Sequence, residues 1–124
     1  MALQELRAEI AAGVEFWGIH REGELIAVMG LQPVKDVALI RHAYTRTAAQ
    51  GLGAGTALLE HLRGQTDRRM LVGTWKAATW AVRFYQKRGF TLTDDRRKEQ
   101  LLRAYWSIPD RQIEESVVLV LGEQ

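Results

Sequence analysis

The chain contains no cysteine, which excludes disulfides, thiolate nucleophiles and zinc sites built on cysteine. Its three histidines, His20, His42 and His61, are scattered without metal-ligand spacing, so no metal site is expected. Only Pro33 and Pro109 interrupt the backbone, and no apolar run approaches the ~20 residues that cross a bilayer. The opening "MALQELRAEI" does not read as a signal peptide, so the expected compartment is the cytoplasm, with no membrane partner. Charge of one sign is also scarce, the formal net charge being +2. Basic residues do cluster at Arg68–Arg69, along Lys76, Arg83, Lys87 and Arg88, and at Arg96–Lys98. They lack the interleaved aromatics and strong positive excess of a nucleic-acid binder, and nucleic acid is not an expected partner.

What remains is 124 residues, 47% apolar and 26% charged, enough for one core and one domain spanning 1–124. Leu3, Leu6 and Ile10 fall at helical spacing before Gly13, which predicts a short amphipathic helix. "VEFWGIH", the turn "REGE" and "LIAVMGL" predict a hairpin, Pro33 to Asp36 a second turn, and Val37 to Thr45 a third strand. A glycine-rich stretch then enters a helix that runs to about Arg63 and is closed by Gly64, with Leu58, Leu59 and Leu62 on one face. "MLVGTW" follows as a strand. Strand, helix and strand in that order imply a parallel pair with a right-handed connection. A helix over Ala77 to Arg88, the strand "FTLT", a helix within "DDRRKEQLLRAYW", a loop holding Pro109 and the central strand "SVVLVL" complete the chain. The predicted fold is α/β: a mixed sheet, antiparallel meander first and parallel pair next, with helices on both faces.

The stretch "QGLGAGT" places three alternating glycines at a helix mouth. Glycine there gives nothing to the helix, but it leaves backbone N–H groups and the positive end of the helix dipole open to an anion. A mononucleotide phosphate loop would continue Gly-Lys-Ser/Thr, and here Thr56 is followed by Ala57 and Leu58. A dinucleotide fingerprint would need a third glycine at 56 and a place after the first strand. Neither fits.

The spacing that fits is Gln/Arg-x-x-Gly-x-Gly/Ala, carried by Gln50, Gly53 and Gly55. One helix later, Ala81, Phe84, Tyr85, Gly89 and Phe90 match Ala-x-x-Phe/Leu-Tyr-x-x-x-Gly-Phe. Together these resemble the GCN5-related N-acetyltransferases, the GNAT family, over roughly residues 14 to 121. The chain departs from the family pattern at Thr45 and Thr47, where an aliphatic residue and proline are common, and at Ala78, where many members carry asparagine. The family's opening strand and helix are missing, and the third strand lacks the glutamate that some members use as a base.

The resemblance implies acetyl-coenzyme A (acetyl-CoA) as cosubstrate and a small-molecule or peptide amine as acceptor, joined by direct attack in a ternary complex. It implies that backbone groups at Tyr44 and Thr45 pair with the pantetheine arm, and that the loop Gln50, Gly51, Leu52, Gly53, Ala54, Gly55 and Thr56 holds the pyrophosphate. Phe84 joins the cofactor wall, and Lys87 or Arg88 meets the 3′-phosphate. Tyr85 matches the family tyrosine that assists the departing thiolate. His42, on the third strand with the parity of Ile40 and Tyr44, is a candidate base, since imidazole ordinarily titrates near 6.5. Glu15, His20 and Glu24 are candidates for the acceptor side, with Trp17 and Trp75 as pocket walls or core. The alternative is a coenzyme A-binding regulatory or interaction protein with little catalysis. Apolar surface left by the missing elements would suit a homodimer.

Overall fold

The computed structural model describes residues 3–46, 50, 51 and 53–122, with the side chains of the first helix described from Arg7. Leu52 and Thr47, and the side chains of Leu3 and Leu6, lie outside the described residues. The chain divides into two compact units, Met1–Arg68 and Arg69–Gln124.

In the first unit, helix α1 (Leu3–Ala11) ends where Gly13 takes φ +98 and the Val14 N–H reaches back to the Glu9 carbonyl at 3.0 Å. This wrapped C-terminal cap seats Val14 in the core at 2% exposure. Of the predicted apolar face only Ile10 has a described side chain, and it is 54% exposed, whereas Glu9 is half-buried. Strands β1 (Glu15–Arg21), β2 (Glu24–Val34) and β3 (Val37–Thr45) form the expected antiparallel meander. Glu22 and Gly23 both have positive φ, the two-residue hairpin turn whose twist suits the flanking strands.

Pro33 belongs to β2 rather than to the second turn, pairing with Ala38, and only Lys35 and Asp36 connect the strands. The β1 ladder has ended at Leu31, so the missing proline N–H leaves no partner wanting on that side. Helix α2 (Ala54–Arg63) lays Leu58, Leu59 and Leu62 on these strands, with Leu59 and Leu62 fully buried.

In the second unit, β6 (Ser116–Leu121) lies between β4 (Arg69–Trp75) and β5 (Phe90–Leu92), antiparallel to both. Its Val118, Leu119 and Val120 are fully buried, as a central strand requires. Helix α3 (Thr79–Lys87) packs on β5 and β6. Helix α4 (Asp95–Tyr105) starts from Asp94, whose carboxylate accepts the Arg97 N–H at 2.8 Å. The segment after Pro109, expected as loop, forms a further short helix, α5 (Asp110–Glu115), which places Ile113 against Leu102 and Val118.

Candidate functional site

The first unit gathers most of the expected cofactor residues around the end of β3 and the start of α2. Tyr44 and Thr45 pair with Val28 and Ala27 of β2, and the Tyr44 side chain stands 60% exposed. The Gln50 side chain donates to the Thr45 carbonyl at 3.4 Å, tying the loop back to the strand. Gly51 and Gly53 hold φ +87 and +84, and no atom lies within 4 Å of a Cβ built on either. The glycines are therefore needed for backbone conformation and open space, not for packing inside the protein. Gly53 caps α2 without any side-chain hydrogen bond, and the first turn carries no acidic residue. The Ala57 N–H donates to the Gly53 carbonyl at 3.0 Å, closing the opening turn of the helix. Ala54 is buried, whereas Gly55 and Thr56 lie within the helix. A helix start with no side-chain cap and no acid in its first turn, behind two left-handed glycines, has the charge and the open space to accept an anion.

His42 sits on the same strand, but strict alternation does not carry past Arg41. Gly30 of β2 faces Arg41 and Val28 faces Tyr44, so β3 holds one residue more than β2 over this interval. His42 takes up the difference with φ 55, a left-handed bulge. The parity that would align it with Ile40 and Tyr44 is interrupted at the residue itself. Its Nε2 lies 3.2 Å from Glu9 Oε2, and its ring centre is 6.0 Å from that of Phe16. Phe16 reaches this position over Gly30, where a Cβ would meet the ring at 3.1 Å. Arg41 extends from β3 to Glu9 at 3.7 Å and donates to Gln32 Oε1 at 2.7 Å; Gln32 in turn donates to the Ala12 carbonyl at 3.0 Å. Neither Glu9 nor Arg41 stood out in the sequence.

In the second unit, Tyr85 is 5% exposed, its ring edge-on to Phe84 and Phe90 with centres 5.1 and 5.3 Å away. Burial pushes its phenol from 10.0 up to about 12, so the hydroxyl keeps its proton at neutral pH. Arg88 is engaged locally, its guanidinium 4.1 Å above the Phe84 ring and Nη1 donating to the Phe84 carbonyl at 3.0 Å. Lys87, in the last turn of α3, is exposed. Trp75 is 54% exposed, which removes the core reading for it.

The other candidates from the first hairpin scatter. Glu24 pairs with Arg46 at 2.8 Å, and His20 is exposed. Glu15 and Trp17 line a pocket of about 180 Å³ with Leu31, Ala38 and Arg68. Among the described residues, no group of three His, Asp or Glu could hold a metal, and no helix is long and apolar enough to cross a membrane.

The raised phenol gives a stability prediction. The unfolded chain loses the Tyr85 proton near pH 10 while the folded chain holds it to about 12. The folded state then binds more protons, so stability falls as pH rises through that window, by roughly 3 kcal/mol at most. Urea midpoints measured from below to above pH 10 should therefore drop more steeply for the parent than for Tyr85→Phe. Equal slopes would show that the phenol is solvated.

Comparison with known proteins adds a family. The model described as "Acetyltransferase (GNAT) domain" matches residues 1–105. No sequence match is found among curated proteins. Among solved structures, an IAA acetyltransferase from Bacillus cereus superposes with TM-score 0.72 at 18% identity, over 98% of this chain and 85% of that one. A GNAT family acetyltransferase from Elizabethkingia anophelis, solved with acetyl-CoA bound, gives 0.72 at 19% identity, over 98% and 84% of the two chains. The ribosomal-protein-S18-alanine N-acetyltransferase from Escherichia coli gives 0.70 at 16%, over 100% and 79%. Likeness at such identity establishes the fold, the mixed α/β sheet expected from the sequence.

Proposed function

Because the chain belongs to the GNAT family of acetyltransferases, we propose that it transfers the acetyl group of acetyl-CoA to a primary amine by direct attack in a ternary complex. The observation that carries this reading is the cradle at α2: left-handed Gly51 and Gly53 before a helix start with no side-chain cap and no acidic residue. A pyrophosphate is the anion such a start suits, met by backbone amides and by the positive end of the helix dipole. Acetyl-CoA supplies an activated thioester.

The chain's own groups divide the remaining work. Backbone at Tyr44 and Thr45, beside the bulge, pairs with the pantetheine arm, and an N–H there meets charge developing on the thioester oxygen. The amine must lose a proton before it attacks, and His42 is the candidate acceptor on that strand. The Tyr85 hydroxyl, protonated by its burial, donates to the departing sulfur. With Arg88 held on Phe84, Lys87 is the cation left for the 3′-phosphate. The acceptor is a small molecule or a peptide with a free amine.

A melting series with acetyl-CoA tests the reading. At about 100-fold excess over its Kd the ligand should add roughly 2.7 kcal/mol of stability, and thiol should appear on addition of suitable amines from a broad panel. No shift with acetyl-CoA, alongside a shift with NAD, would overturn it. Binding without turnover on any amine would replace it with a regulatory role.

A further inference from the structure

Three features meet at His42. Its backbone is left-handed, a conformation that costs a non-glycine residue ~1–2 kcal/mol and that persists only where the surroundings impose it. Among the described α1 side chains an acid, Glu9, is the one that is half-buried, while the neighbouring Ile10 is 54% exposed. Glu9 also contacts the bulge twice, through Arg41 Nη2 at 3.7 Å and His42 Nε2 at 3.2 Å.

We infer that Glu9 is a positioning residue: it holds the His42 imidazole so that Nδ1 is the atom that takes the amine's proton. The inference rests on the acetyl-transfer reading above and deepens it. With Nε2–H donating to the Glu9 carboxylate, the neutral ring is fixed as the tautomer whose lone pair lies on Nδ1. The groups facing the ring are Glu9 from α1, Arg41 beside it on β3 and the uncharged Phe16 from β1. Arg41 balances the carboxylate and is itself fixed by Gln32, which is anchored to the end of α1. These contacts join the end of α1 to the bulge at the ring.

The protons balance. An ammonium acceptor gives up two: one passes to Nδ1 and on to water, and the other leaves with the sulfur. The carbon–nitrogen bond forms as the carbon–sulfur bond breaks.

The test compares Glu9→Gln and Glu9→Ala with the parent by ¹⁵N NMR of the imidazoles, at a pH well above the ordinary imidazole range. The same proteins are assayed for thiol release from acetyl-CoA over the amine panel. The parent should show one His42 tautomer with the proton on Nε2. Glutamine, which still offers an acceptor oxygen, should keep it, and alanine should give a tautomer mixture. Turnover should follow the order parent, Gln, Ala, with alanine down roughly tenfold to 100-fold, no more than the low end of the 10²–10⁴ that a base contributes, and with the KM for acetyl-CoA unchanged. A His42 tautomer indifferent to Glu9→Ala overturns the proposal, as does a tautomer change with unaltered turnover; the acetyl-transfer reading survives both. A parent that releases no thiol with any amine overturns that reading, and this proposal falls with it.

Discussion

Replacing Tyr85 by phenylalanine should lower turnover by on the order of 10² or more while leaving the Kd for acetyl-CoA nearly unchanged. The substitution keeps the ring, and with it the edge-on contacts to Phe84 and Phe90, so the fold loses little. What disappears is one O–H in a dry setting. A phenol held up at about 12 surrenders its proton reluctantly to a thiolate, whose ordinary range lies near 8.5. Its help is therefore chiefly the hydrogen bond it gives the departing sulfur, which strengthens as negative charge gathers there. An interaction made mainly in the transition state changes kcat and spares ground-state binding. If the hydroxyl only holds the cofactor, Kd will rise and turnover at saturation will survive. Unchanged turnover at saturating substrate removes Tyr85 from the mechanism.

The features legible in the sequence were those fixed by local chemistry. Glu22-Gly23 specifies a two-residue turn wherever it falls between alternating runs, and Gly13 marks the end of α1 because only glycine adopts φ +98 readily. The left-handed turn before α2 was legible because glycines cluster at the helix mouth, where Gly51 and Gly53 take φ +87 and +84. The bulge at His42 was not, since an extra residue in β3 is defined only against β2, and nothing in "VALIRHAYT" marks it. Pairing likewise decided Pro33, which lies beyond the end of the β1 ladder. Helix α5 is too short to show a period. Glu9 was hidden for a tertiary reason: periodicity names the apolar residues of α1, whereas Glu9 meets Arg41 and His42 across a long stretch of chain.

The glycine loop should separate into two different effects when its residues are changed singly. Gly53 holds φ +84 at the cap of α2, with nothing within 4 Å of a Cβ. Valine there meets no protein atom, but its branched side chain resists a left-handed backbone by ~1–3 kcal/mol. The loop would leave the cradle conformation for an ordinary one, and acetyl-CoA affinity should fall roughly 10-fold to 100-fold while the circular dichroism of the folded protein is kept. Gly55 is already inside the helix and outside the left-handed region, so Gly55→Ala should favour α2 by up to about 1 kcal/mol. A Cβ in a helix tilts toward its N-terminus, the end at which the proposed pyrophosphate would sit. The expected result is thus a variant that melts no lower than the parent yet binds acetyl-CoA more weakly, as calorimetry alongside a melting curve would show. A turn with no ligand predicts the opposite pairing: Gly53→Val costs stability alone, and Gly55→Ala is neutral or better in every measurement. If Gly53→Val binds acetyl-CoA as tightly as the parent, the pyrophosphate is not held at this helix.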